Sequence, residues 1–310
     1  MRNQFAETFY QIGCEDPRLC LVVADISPAG SIQKFREFFP DRFVNTGVAE
    51  QVMIGMAAGM ALRGLRPFAY TIATFALYRP LEMIRDDLAY HNLPVTVVGI
   101  GGGVAYSTLG GTHHAQEDVG LACTIPGLSV IVPCDPAEVA DATRHCAQQN
   151  DGPIYLRLGK AGEPVLTADA AEPFRFGKLR YLRRGTDICV LSYGPVMAMA
   201  IEVADALATQ GRSVSVVSTH TLKPLDRAGV AEALRTHDRV VVIEEASQQN
   251  GLGAQVKQIA WDTRAVCDLR SFSLQDAFIH TYGTHAQILE AHGLSVRSVL
   301  DVLATEPEAR

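Results

Sequence analysis

Chemistry in this sequence centres on Glu50, the one acidic residue of RFVNTGVAEQVMIGMAAGMALRG, residues 42–64. Met53, Ile54, Met56, Ala57, Met60 and Ala61 recur behind it at helical spacing. Gly55, Ala58 and Gly59 interleave with them and allow close packing. Taken alone, such an acid is a helix N-terminal carboxylate favoured by the helix dipole. In an apolar pocket, a carboxyl group can instead trade a proton near neutrality. A second candidate is the pair His113 and His114 in GGTHHAQED. Adjacent histidines rarely share one metal geometry, and an imidazole is suited to moving protons near neutrality. Arg157 and Lys160 in YLRLGK read either as charge for an anion or as solvated strand-end residues. His91, His145 and His220 have no motif around them and read as surface or core residues.

Other motifs are excluded by single residues. VGIGGGVAY and NGLGAQV place Val104 and Val256 where a dinucleotide fingerprint needs its third glycine, and no P-loop is present. These glycines instead mark places where a loop backbone approaches something closely. The seven cysteines are scattered, with no C-x-x-C pair or zinc spacing, which predicts reduced thiols, no metal ligands on this chain and a cytoplasmic setting.

The elements that position these groups alternate. Apolar runs LCLVVADI, PFAYTIATF, PVTVVGI, LSVIVPC and PIYLRL are separated by helical patterns, the mark of a parallel sheet covered on both faces. Asp135 followed by Pro136 predicts a capped helix start. Residues 166–185 lose the rhythm and read as a linker; TDICVLSYG, SVSVVSTHTLKP and RVVVIEEAS then resume it. The expected fold is α/β in two tandem domains, 1–165 and 186–310. The 310 residues, 48% hydrophobic and 20% charged, suffice for two cores, and a net charge of −7 without a basic patch argues against nucleic acid. No apolar run approaches a membrane span or a signal peptide.

The block from RFVNTGVAEQ to RPFAYTIATF resembles the pyrimidine-binding domain of transketolase-like enzymes. The resemblance continues through LYRPLEMIRDDLAYHNLPVTVVG, GGTHHAQEDVG and DGPIYLRLGK into TLKPLD and EEASQQNGLGAQV, like that family's C-terminal domain. It implies thiamine diphosphate as cofactor. Glu50 would be the acid that shares a proton with the pyrimidine ring and so activates the thiazolium carbon. Phe75 would stack on that ring, Tyr78 would line the same pocket, and Asp25 and Ile26 would border it. His113 would face the reacting carbons, with His114 in place of the family's usual glutamine.

Two departures qualify the resemblance. No G-D-G motif is present, so the magnesium and diphosphate half of the site is expected on a separate N-terminal subunit, in an α2β2 assembly. In the substrate loop, Gly101 replaces a sugar-phosphate histidine and Leu109 replaces an acid that reads a donor hydroxyl. Two-carbon ketol transfer to an aldehyde is the leading expectation, from a sugar less polar or differently functionalised than a standard pentulose phosphate, or from a 2-oxo acid. The alternatives are the β subunit of a 2-oxo acid dehydrogenase, a decarboxylating synthase, or a non-catalytic partner-binding subunit. The C-terminal domain carries no catalytic constellation, and EEASQQNGLG reads as packing or subunit contact.

Overall fold

A computed structural model describes residues 1–26, 31–168, 170 and 172–305. The strands are β1 (Leu19–Val23), β2 (Phe43–Asn45), β3 (Arg66–Ile72), β4 (Thr96–Ile100), β5 (Ser129–Ile131) and β6 (Ile154–Leu158), followed by β7 (Arg180–Arg183), β8 (Ile188–Ser192), β9 (Val214–Ser218), β10 (Thr221–Lys223), β11 (Arg239–Ser247) and β12 (Asp268–Leu274). The helices of the first half are α1 (Arg2–Glu15), α2 (Ser31–Phe38), α3 (Glu50–Leu62), α4 (Ala73–Leu77), α5 (Leu81–Met83), α6 (Asp118–Thr124) and α7 (Pro136–Gln148). Those of the second are α8 (Met197–Thr209), α9 (Arg227–Thr236), α10 (Leu252–Thr263), α11 (His285–Ala291) and α12 (Val296–Leu303).

The first sheet has the order β10-β5-β6-β4-β3-β1-β2 and is parallel except for β10. The second runs β12-β11-β8-β9-β7 and is parallel except for β7. Central strands β1, β4, β6 and β8 are buried along their whole length, as continuous Val/Ile/Leu runs require when helices cover both faces. Two strands cross the sequence divisions. β7 lies within the stretch read as linker yet closes an edge of the second sheet. β10, from the second half, adds an antiparallel edge to the first sheet, with Val132 N–H donating to the His220 carbonyl at 2.7 Å. Residues 169 and 171 of that stretch, and 306–310, lie outside the described residues.

One apolar core is continuous across both halves. It joins Met53, Ile54 and Ala57 of α3 and Val119 of α6 to Leu234 of α9 and Val256 of α10. Separate clusters pack α1 and α7 on the other face of the first sheet and α8, α11 and α12 on the far face of the second. Only one side of α3 enters the core. Val52, Met56 and Leu62 are exposed, so the helix the sequence suggests is built for burial lies half open in the single chain. Among the described residues no helix is long and apolar enough to cross a membrane.

Asp135 caps α7 as the Asp-Pro pair predicts, its carboxylate accepting the Glu138 N–H at 2.7 Å. It also accepts N–H bonds from Leu166 and Thr167, both at 2.7 Å, and so pins the start of the connecting segment. That segment is stapled further by aromatic stacking: Phe174 lies on His220 at 4.2 Å and Phe176 on His145 at 4.3 Å.

Replacing Asp135 by Ala removes a cap and leaves three N–H groups without their acceptor, which should lower stability by about 2–4 kcal/mol in urea denaturation. A loss under about 1 kcal/mol would contradict this role. Burial beneath Phe174 pushes His220 down to about 3. An unfolded histidine titrates near 6.5, so between these values the unfolded chain binds a proton that the folded chain refuses. Stability therefore falls as pH drops through this window, by about 1.4 kcal/mol per pH unit for one proton. His220→Gln should flatten that slope by about one proton; an unchanged slope would refute the assignment.

Candidate active site

The strand order reverses between β1 and β3, so the crevice at their carboxyl ends is the place where open α/β sheets bind ligands. Three loops reach it. After β1, Asp25 adopts a left-handed conformation (φ 43°) and its N–H donates to Asn45 Oδ1 at 3.1 Å. The same amide oxygen accepts the Gly47 N–H at 2.9 Å, tying this loop to the one that leads into α3. Asp25 is exposed, while Ile26 is half-buried against the α1/α2 cluster. Residues 27–30 lie outside the described set.

Glu50 is the first residue of α3, where the helix dipole favours an anion, and it is only 3% exposed. The sequence leads one to expect apolar surroundings. Instead, Arg79 places Nη1 3.0 Å from both carboxylate oxygens. The cause is helical spacing: Arg79 follows Phe75 by four residues across α4 and its last turn, so both side chains lie on one face. The guanidinium sits 4.5 Å above the Phe75 ring, a cation–π contact.

From Phe75 the contacts continue. Its ring meets His113 edge-on at 5.2 Å, and His113 meets Tyr106 at 6.2 Å. Lys160 Nζ lies 5.2 Å from the Tyr106 ring centre. His113 pairs through Nδ1 with Thr112 Oγ1 at 2.9 Å, and burial lowers its pKa, which favours the neutral imidazole at pH 7. Glu50, Phe75 and His113 are thus brought into one line. Arg79 and Tyr106 join them; sequence reasoning missed both, although the i, i+4 relation of Phe75 and Arg79 was a usable signal for the first.

Other candidates are placed elsewhere. The Tyr78 hydroxyl donates to Glu117 Oε2 at 2.8 Å and accepts the Glu117 N–H, so it faces the start of α6. Burial, then the neighbouring Asp118 and Glu117 carboxylates, raise its pKa. His114 is turned inward and 2% exposed, and burial lowers its pKa. Leu109 is exposed at the loop tip, between Tyr106 and Gly110. Arg157 is neither solvated nor free for an anion, contrary to both sequence readings. Buried at the end of β6, it pairs with Asp118 at 3.1 Å, and Nη2 donates to the Glu245 carbonyl at 2.9 Å. What the Gly101–Gly103 run approaches is the protein itself. A Cβ would collide with Tyr106 at Gly101, with Arg157 at Gly102 and with Glu245 at Gly103.

An acid and an aromatic face suit the pyrimidine end of a thiamine cofactor. Among the described residues, no group of three or more His, Cys, Asp or Glu could hold a metal ion, so the fit covers that end alone.

Comparison with known proteins supports the same assignment. Residues 1–162 match the transketolase pyrimidine-binding domain, and 177–299 match the transketolase C-terminal domain. The chain is 32% identical to the 6-deoxy-6-sulfo-D-fructose transketolase subunit SqwH of Clostridium sp. (strain MSTE9), over 97% of this chain and 92% of that one. It is 31% identical to an apulose-4-phosphate transketolase subunit of Phocaeicola vulgatus, over 82% of this chain and 81% of that one. A solved structure described as a split-gene transketolase, an inactive β4 tetramer, superposes with a TM-score of 0.86 at 31% identity, covering 97% of this chain and 96% of that one. Membership implies use of thiamine diphosphate. With two domains of this kind in tandem and relatives matched along nearly their whole length, the chain belongs to the transketolase family.

Proposed function

We propose that this chain is the catalytic-acid half of a two-component transketolase, and that a partner chain grips the cofactor's magnesium and diphosphate. The observation that carries the reading is the buried Glu50 carboxylate at the start of α3, in line with Phe75 and His113. When bound, thiamine diphosphate would supply the carbanion chemistry for two-carbon transfer from a ketone donor to an aldehyde. Glu50 holds and returns a proton at the pyrimidine nitrogen. Phe75 presents an aromatic face, where stacking contributes roughly 0.5–1.5 kcal/mol beyond burial. Arg79 Nη1 donates to both oxygens of the acid in the single chain. The Arg79 side chain is 45% exposed while that of Glu50 is 4% exposed, so the guanidinium is the partner with room to swing toward solvent when a ligand takes its place. His113, neutral and beside Phe75, serves proton movement on substrate hydroxyls.

The half-open α3 supports the partner. Val52, Met56 and Leu62 leave an apolar strip on the face of α3 turned away from the core, the kind of surface a stable subunit contact covers. Both relatives are described as subunits, one of a sulfo-sugar enzyme and one of a sugar-phosphate enzyme. Leu109 at the loop tip, where ketose-phosphate enzymes place an acid, suits a donor read by fewer polar contacts. Asp25, on the rim of the crevice, borders the cofactor and the partner surface.

Glu50→Gln in the assembled complex should lower turnover of ketose plus aldehyde at least about 100-fold, roughly 2.7 kcal/mol of barrier. Retention within about tenfold would refute the activating role. Purified alone with thiamine diphosphate and magnesium, the chain should transfer no two-carbon units until the partner is added; full activity without the partner would contradict the split site. Acylation of a lipoyl domain from a 2-oxo acid, in place of ketol transfer, would move the complex to the oxo acid dehydrogenases.

A further inference from the structure

Glu244 and Glu245 stand side by side near the end of β11, both buried, and strand alternation sends them to opposite faces. Glu244 stays within its own half. It accepts the Tyr193 hydroxyl at 2.9 Å and the N–H groups of Leu252 and Gly253 at 2.8 and 2.9 Å, satisfying the start of α10. Glu245 does not. Its Oε1 accepts the Val104 N–H at 2.8 Å and lies 2.7 Å from His285 Nε2. Two residues on, the Ser247 N–H donates to the Gln116 carbonyl at 2.7 Å.

Val104 and Gln116 are the two ends of the loop that carries Tyr106, Leu109, His113 and His114. The loop base is closed by Gly103 and Ala115, whose N–H groups donate to each other's carbonyls at 3.1 and 2.7 Å. The end of β11 therefore grips both rails of the loop from below. Gly103, at φ 64°, is needed for this grip, because a Cβ there would occupy the place of the Glu245 carboxylate.

We infer that Glu245 is a positioning residue for the active-site loop, acting through the Val104 N–H to hold His113 against Phe75. The inference rests on the proposed role of that loop in two-carbon transfer. It gives the C-terminal domain a task that its lack of catalytic groups conceals. A buried carboxylate is costly, and apolar residues could glue the two halves together more cheaply. A backbone N–H in a glycine-rich loop has no such substitute, since it needs an acceptor held at hydrogen-bond distance. The carboxylate is kept ionised: burial would raise its pKa, but His285, Arg157 and the Val104 N–H together hold it low. For His285, burial opposes the charge and Glu245 outweighs it, so its pKa is raised.

The test compares Glu245→Ala, Glu245→Asp and Glu245→Gln by amide hydrogen exchange on the full chain, then by kinetics in the complex. The Ala and Asp variants lose the acceptor or its reach. In both, amides from 104 to 116 should exchange at least about tenfold faster while β8 and β9 stay protected. Their kcat should fall about tenfold or more with the half-saturating cofactor concentration unchanged. The Gln variant keeps an acceptor oxygen and should restore both. If Glu245→Ala fails to fold, the Asp and Gln pair decides. Unchanged loop exchange, equal loss of protection throughout the C-terminal domain, or a Gln variant as impaired as Ala would each overturn the inference. A loosened loop with unaltered kcat would overturn it too. A wild-type complex with no two-carbon transfer would refute the functional reading instead, and the exchange data would still decide the anchoring.

Discussion

A buried carboxylate at the N-terminus of α3 is the constraint around which the crevice is arranged. Glu50 is 3% exposed, and a charge taken out of water to that degree needs a partner or a helix end. It has both: the dipole of α3 and the Arg79 guanidinium at 3.0 Å. Arg79 in turn lies over Phe75, and Phe75 touches His113, so the acid fixes a line of side chains drawn from three different strand ends. The strand-order reversal between β1 and β3 explains why these ends converge where they do.

The two halves of the chain are less separate than two domains in tandem suggest. β10 completes the first sheet, one apolar core runs through both halves, and Glu245 of β11 accepts the Val104 N–H from the first half. At this junction the polar groups meet partners from both halves. Arg157 lies between Asp118 and the Glu245 carbonyl, while Glu138 accepts hydrogen bonds from Cys134 N–H and Ser218 and pairs with Arg180. Apolar burial supplies the general attraction between the halves.

Much of this was legible in the residues themselves. The alternation of β-branched runs and helical patterns announced parallel sheets, and Asp135-Pro136 announced the start of α7. The blocks around Glu50, Phe75 and His113 pointed to one site through their resemblance to the transketolase pyrimidine-binding domain. What stayed hidden depends on long-range contacts. Nothing local to TLK reveals that it pairs with a strand ninety residues earlier in another sheet, since three residues carry almost no pattern. Arg157 looked like a strand-end charge because Asp118 and Glu245 are distant in sequence. Tyr78 was expected to line the pocket on which Phe75 stacks, yet its hydroxyl reaches Glu117, thirty-nine residues on, a contact no local pattern reveals. The apolar face of α3 was read as core, and half of it is open, because hydrophobicity does not distinguish burial within a chain from burial between chains.

The measurement closest to the central claim is the rate of hydrogen–deuterium exchange at the thiazolium C2 of thiamine diphosphate, followed by acid quench and proton NMR. It would be read in the complex with the diphosphate-binding partner, for wild type and for Glu50→Gln. The account predicts fast exchange in the wild-type complex and a rate at least about a hundredfold slower in the variant at full cofactor occupancy. Equal rates in the two complexes would contradict it.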